Sequence, residues 1–202
     1  APLVDLADLA EKYEAFLYLD DAHGAGVYGS RGQGPAECIS GRIDVLMGTY
    51  SKGLGSFGAY ACVSDLLREY LINTSRGFIF TTALPPAVLG ANLKALDLVQ
   101  SAEAEGLRQS LRKNALDLRT FFRQYSLSVL GHDSPIIPIV VGDEARAMSL
   151  SASLRKAGFL VPAIRPPTVP QGACRLRLTL SARHEKSQID KLKQVFIELL
   201  GS

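Results

Sequence analysis

Gly48-Thr-Tyr-Ser-Lys-Gly-Leu-Gly55 sets one lysine, Lys52, among small residues just beyond the apolar run Ile43 to Gly48. The run reads as a strand and the glycines as the turn that closes it. With an apolar strand before it and small neighbours around it, Lys52 is expected to be an enclosed amine. Burial without a partner disfavours the ammonium form and leaves a nucleophile suited to Schiff-base chemistry.

Similar short runs flank this one. Ala15 to Leu19 reads as a buried strand, and Gly58 to Ser64 and Phe78 to Leu84 as further strands. Leu3, Leu6, Leu9, Ala10 and Tyr13 recur at helical spacing, and Asp65 to Thr74 is a second helical pattern. Strands alternating with helices predict an α/β layer with a mainly parallel sheet. From Pro85 to Tyr125 the pattern is helical, with a break expected at Glu103 to Gly106. Residues 1–105 are therefore expected to form one domain and residues 106–202 a small α+β domain. The latter holds a strand at Ile136 to Val141, a helix from Asp143 to Lys156 ended by Gly158, a Pro-rich loop and a strand at Arg175 to Leu180. A final helix shows an apolar stripe at Ile189, Leu192, Phe196 and Leu199.

The 202 residues are 47% hydrophobic and 21% charged, the composition of a packed globular protein, which excludes disorder and fibrous repeats. A net charge of +2, dispersed along the chain, points to no nucleic-acid or anionic-membrane surface. The nearly uncharged stretch around Pro135 to Val141 falls far short of the roughly 20 residues of a membrane helix. Cys38, Cys62 and Cys174 are too few and too scattered for a disulfide framework or a zinc motif, so a reducing, cytoplasmic compartment is expected. The chain opens without Met, and Asp5, Asp8 and Glu11 interrupt any signal-peptide core; it reads as opening mid-protein.

Asp20, Asp21 and His23 stand where the first strand ends, the edge at which open α/β sheets bind ligands. The plainer reading is a turn in which Asp caps backbone amides. A metal site is a third reading, although neither His132 nor His184 has ligand spacing to complete it. Gly24 to Gly29 and Gly53 to Gly58 both satisfy G-x-G-x-x-G, yet neither is expected to open a helix as a dinucleotide fingerprint must. Lys52 also lacks the Gly before it and the Ser/Thr after it that a Walker A loop requires. Arg175 and Arg177 alternate with Leu176 and Leu178 and share one strand face. They suit either a solvated edge strand or a bidentate grip on a carboxylate.

In order along the chain, Asp20-Asp-Ala-His-Gly-Ala-Gly-Val-Tyr-Gly29, the Lys52 loop, Phe80-Thr-Thr-Ala-Leu-Pro-Pro86 and Arg175-Leu-Arg-Leu-Thr-Leu-Ser-Ala182 resemble the α-oxoamine synthase family. These are pyridoxal-phosphate enzymes of fold type I, and the resemblance, to the C-terminal half of such an enzyme, spans nearly the whole chain. It implies that Lys52 is the Schiff-base lysine and later a proton-transfer base. Asp20 would pair with the pyridinium nitrogen, keeping the ring an electron sink. It further implies that His23 bonds the ring's phenolic oxygen and that Thr49 contacts the phosphate. Thr81 and Thr82 would reach the phosphate of a neighbouring subunit in a homodimer with shared sites. Arg177 would hold the amino-acid carboxylate and Thr168 would line the acyl pocket. Within the family, Ala163-Ile-Arg-Pro-Pro-Thr-Val-Pro170 before the arginine strand points to decarboxylative condensation of L-alanine with a pimeloyl thioester, a step of biotin synthesis.

The family's ring-covering aromatic residue and part of its phosphate cup would lie before residue 20, so this stretch alone is expected to bind cofactor poorly. Three other readings stay open: relatives acting on glycine or serine, including 5-aminolevulinate synthases; a non-catalytic partner subunit; and a metal-dependent hydrolase using Asp20, Asp21 and His23. Retention of Lys52 beside Asp20, His23 and Arg177 favours an enzyme.

Overall fold

Apolar residues recurring at helical spacing, with charges between them, wind Leu3–Lys12 into α1. Its Ala7 is fully buried, while Asp8 and Glu11 both grip Arg42 at 2.5 Å. The computed structural model describes residues 1–201, and the chain forms two units, Ala1–Glu105 and Gly106–Ser202.

In the first unit β1 (Tyr18–Asp20), β2 (Val45–Thr49) and β3 (Ala59–Val63) form one sheet in that order. β1 and β2 are parallel, with Asp20 opposite Met47; β2 and β3 are antiparallel, with Gly48 opposite Tyr60. The sheet is thus mixed over this stretch. The run Ala15 to Leu19 is not the buried strand its apolarity suggests: β1 is three residues long, and Tyr18 is 55% exposed. Val45, Gly48 and Thr49 of β2 are buried.

Ser64 accepts from the Leu67 amide and starts α2 (Asp65–Thr74). A helical turn, α3 (Arg76–Ile79), follows where a strand from Phe78 was expected. The Ile79 and Phe80 amides bond the Ser75 and Arg76 carbonyls, so Phe78 is committed to a turn, and Pro85-Pro86 then opens α4 (Pro86–Val99). The next break comes at Gln100 and Ser101, earlier than expected. Ser101 Oγ accepts from the Ala104 amide and caps α5 (Ala102–Gln124), which runs on through an exposed Gly106. A mid-helix glycine costs only about 1 kcal/mol relative to alanine, too little to stop so long a helix. The core of this unit is made mainly of alanines with Ile39 and Val45, while Phe57, Leu66, Tyr70, Phe78, Phe80 and Leu93 are all more than 60% exposed.

The second unit carries the larger core. β4 (Ser128–Val129), β5 (Ile136–Gly142), β6 (Ala163–Ile164) and β7 (Cys174–Thr179) form an antiparallel sheet in the order β4-β5-β7-β6. Ile137 and Ile139 of β5 and Cys174, Leu176 and Leu178 of β7 are buried on one face. α6 (Glu144–Lys156), capped by the Asp143 carboxylate, buries Ala147 and Leu154; α7 (Lys186–Leu200) buries Ile189, Leu192 and Phe196. Leu111, Ala115, Leu118, Phe121 and Phe122 complete the core from α5. Phe122 meets Phe196 edge-on at 4.8 Å. Arg119, fully buried, donates to the carbonyls of Leu130, Gly131, Ser134 and Ile136 at 2.7–3.0 Å and so fixes the β4–β5 connection. Among the described residues no helix is long and apolar enough to cross a membrane, and all three cysteines are free thiols.

Candidate functional site

Because β1 and β2 run parallel, their carboxyl ends lie at one edge of the sheet, roughly 4.8 Å apart in the pairing direction. Asp20 closes β1 there, and Thr49 closes β2, with Lys52 three residues on. The two following loops pack together. A methyl group placed on Gly53 would lie 2.5 Å from the Ala25 carbonyl oxygen, and one on Gly26 would lie 3.2 Å from Leu54. The sheet therefore brings Asp20, His23, Thr49 and Lys52 to one edge.

Asp20 is exposed, and its Oδ1 accepts from the Ala22 amide at 2.9 Å, so the turn-capping reading holds for this carboxylate alongside any ligand role. Lys52 is exposed rather than enclosed: a loop of glycines and serine supplies no side chains to cover it. His23 is exposed as well. Thr49 is buried; its hydroxyl donates to the Gly58 carbonyl at 2.8 Å and lies 2.7 Å from Ser51 Oγ. Ser51, exposed at the mouth of the loop, joins the cluster of hydroxyls and was not among the sequence candidates.

Two more residues shape this edge: Asp21, which the sequence offered only as a strand-end or metal-ligand candidate, and Tyr60, which it left unassigned. Asp21 is 6% exposed, and burial, then the neighbouring Asp20 charge, pushes its carboxyl up to about 6. Tyr60 lies across Gly48, whose missing side chain gives the ring its room, and meets Tyr50 edge-on at 5.4 Å. Burial raises the Tyr60 phenol, helped by Cys62, Tyr50 and Asp21. The signal in both cases is positional: Asp21 continues the β1 ladder through its amide to Met47, beside a glycine facing an aromatic residue.

Thr81 and Thr82 are exposed, and no hydrogen bond among the described residues ties them to Lys52. Their segment nevertheless reaches the loop, since Leu84 lies against Gly58 and buried Asn92 of α4 donates to the Phe57 carbonyl at 3.2 Å. Thr168 and Arg177 belong to the second unit. Thr168 is exposed beyond β6. Arg177 is half-buried on β7, between β5 and β6, so the edge-strand reading is set aside. It shares its face with Arg175 and pairs with Pro138, and no described acid or carbonyl engages its guanidinium. Among the described residues no three His, Cys, Asp or Glu side chains cluster to hold a metal ion. Neither glycine repeat opens a helix: the first forms turns and the second leads into β3.

The chemistry of this edge suits pyridoxal phosphate: a carboxylate for a ring nitrogen, an amine for an aldehyde and hydroxyls for a phosphate, all at adjoining strand ends. Residues 1–196 match the family model "Aminotransferase class I and II". The chain is 46% identical over 203 residues to 8-amino-7-oxononanoate synthase of Citrifermentans bemidjiense, covering 100% of this chain and 52% of that protein. It superposes on a serine palmitoyltransferase of Sphingomonas wittichii with TM-score 0.92 and 30% identity, over 100% of this chain and 51% of that one. A variant of SPT solved with PLP gives TM-score 0.91 and 29% identity, over 100% and 52% of the two chains. The chain spans about half the length of the relatives it matches. By sequence match, fold and the donor set at its strand ends, this chain belongs to the aminotransferase class I and II family.

Proposed function

We propose that this chain carries the lysine-bearing part of a pyridoxal-phosphate acyltransferase that condenses L-alanine with a pimeloyl thioester, releasing CO2 and free thiol and giving 8-amino-7-oxononanoate for biotin synthesis. The observation that carries the reading is the placement of Lys52 and Asp20 at adjoining ends of parallel strands. It is supported by 46% identity to a synthase of that name along the whole chain.

Lys52 would hold the cofactor through its amine, and Asp20 would hold a proton on the ring nitrogen. His23 would hydrogen-bond the ring oxygen. Thr49 and Ser51 offer hydroxyls to the phosphate, and Thr81 and Thr82 would serve the phosphate of a second subunit in a cytoplasmic homodimer. When bound, the cofactor draws off the electron pair left on the substrate carbon by loss of a proton or of CO2. Lys52 Nζ, once free, takes the Cα proton and returns one at the end. Arg177, unengaged and half-buried, would grip the amino-acid carboxylate with its planar fork, and Thr168 would line the acyl channel. Lys52 is exposed here, so we infer that its cover and the rest of the phosphate cup come from residues outside these 202 and from the second subunit.

A second reading keeps the same residues but takes serine or glycine, as the likeness to serine palmitoyltransferase allows. Both are tested in the intact protein with pyridoxal phosphate. Borohydride reduction followed by peptide mapping should place the label on Lys52, and turnover with pimeloyl-CoA or a pimeloyl-carrier protein should favour L-alanine over glycine and L-serine. A label elsewhere overturns the site; turnover of serine or glycine alone overturns the substrate.

A further inference from the structure

We propose that Asp21 is a positioning residue for the Schiff-base loop: its carboxyl, seated between Gly24 and Gly34, holds the turn against which Gly53, and with it Lys52, rests. The proposal rests on the assignment of Lys52 above.

Three main-chain bonds fix Asp21. Its amide donates to Met47 O at 2.8 Å, and its carbonyl accepts from the Gly24 and Ala25 amides at 3.0 and 3.2 Å. The side chain is held by shape. A methyl group on Gly24 would overlap Oδ1, and one on Gly34 would overlap Oδ2, so the carboxyl fills both places where those residues lack a side chain. The loop closes around it, with Gly34 N bonding Tyr28 O at 3.0 Å and Gly26 N bonding Gly32 O at 2.7 Å. Among the described residues no donor hydrogen-bonds the carboxylate, which makes it a filler of space rather than a member of a polar network. The outer side of the same turn presents the Ala25 carbonyl to Gly53. A displacement of the carboxyl is thus passed through Gly24 and Ala25 to the residue next to Lys52.

The geometry makes a coupling prediction. Gly34 has φ +94° and Gly41 has φ +84°, so alanine strains the backbone at both, but only at Gly34 does the new methyl meet Asp21; at Gly41 it meets open space. The test compares Gly34→Ala, Gly41→Ala, Asp21→Ala, Asp21→Asn and the Asp21→Ala/Gly34→Ala pair in the intact protein. It has two readouts: amide-hydrogen exchange over residues 52–56 without cofactor, and pyridoxal-phosphate affinity by absorbance titration.

Gly34→Ala should speed exchange and weaken affinity about tenfold, the equivalent of about 1.4 kcal/mol, while Gly41→Ala changes either less than about threefold. Asp21→Ala should also loosen the loop, and adding Gly34→Ala to it should cost little more, because the clash partner has gone; Asp21→Asn, of the same shape, should retain both properties. Gly34→Ala behaving as Gly41→Ala, or the pair costing the sum of its singles, overturns the proposal. Absence of cofactor binding by the unmodified protein would overturn the proposed function, and the exchange data would still decide the role of Asp21.

Discussion

Asp20 and Met47 are partners in the parallel β1/β2 ladder, and this pairing is what places a carboxylate beside the strand that leads to Lys52. The two groups are 32 positions apart in sequence, and only the register makes them neighbours. A slip by one residue would turn Asp20 to the other face and put Asp21 in its place.

Asp20→Asn is expected to separate cofactor retention from chemistry. The amide keeps the size of the side chain and can still accept from the Ala22 amide, so the turn stays formed. It cannot hold a proton on the ring nitrogen as a carboxylate does. The variant should bind pyridoxal phosphate within about tenfold of the unmodified protein yet lose about 100-fold or more in proton abstraction, the usual scale of a lost acid–base partner. Exchange of the amino-acid Cα hydrogen with deuterium measures that step directly; near-normal exchange would remove Asp20 from its role.

Asp21 gives a stability prediction of opposite sign to most carboxylates. Its folded-state pKa is raised from 3.8 to about 6 by burial and by Asp20, with Tyr60 the titratable group facing it from β3. Between those values the native protein holds a proton that the unfolded chain has released, so this group's contribution falls as pH rises through that window. Asp21→Asn removes the dependence. It should be more stable than the unmodified protein above pH 6, by on the order of 1–2 kcal/mol, with the gap closing near pH 4. Urea midpoints at pH 4, 6 and 8 check this, and equal gaps at all three would refute it.

The strongly patterned parts of the fold were legible in the sequence. Asp65 to Thr74 and the stripe Ile189, Leu192 and Phe196 needed only helical spacing, and Ser64 and Asp143 announce their helices as caps. Phe78 to Leu84 misled because apolar content alone does not tell a strand from a turn. The bonds of Ile79 and Phe80 back to Ser75 and Arg76 decide it, and they are local geometry. Ser101 is a cap that the helical run around it concealed. The placement of Lys52, Asp20 and His23 just at or beyond the strand ends was legible through loop composition and the apolar runs before them. Exposure of Lys52 was not, since enclosure depends on what else packs there. The packing of Asp21 against Gly24 and Gly34, and the presence of Tyr60 across Gly48, became visible only in the structure.

Arg177 lies on an interior strand of its sheet, half-buried, and no described acid or carbonyl engages its guanidinium, which leaves the planar fork available to a ligand anion. Arg177→Lys keeps the charge but loses the planar two-point grip on a carboxylate. The KM for the amino acid should rise about tenfold or more, consistent with loss of one charge-assisted hydrogen bond, while the KM for the thioester stays within about twofold. A steady-state matrix varying both substrates separates the two. An equal rise in both would mean that Arg177 supports the sheet rather than the substrate.

Arg119 is the test of whether the second unit depends on a polar pin. Its side chain is fully buried and serves four carbonyls, those of Leu130, Gly131 and Ser134 in the β4–β5 connection and that of Ile136 at the start of β5. Arg119→Met fills similar volume but leaves those carbonyls without their donor, which should cost about 3–5 kcal/mol. Arg119→Lys should recover only part of the loss, because one ammonium cannot span four acceptors arranged for a fork. Arg112, exposed on the same helix, is the control: Arg112→Met should change stability by less than about 0.5 kcal/mol. Denaturant midpoints of the three variants decide the matter. If Arg119→Met unfolds beside Arg112→Met, the β4–β5 connection is held by the apolar core beneath it and the buried guanidinium is dispensable.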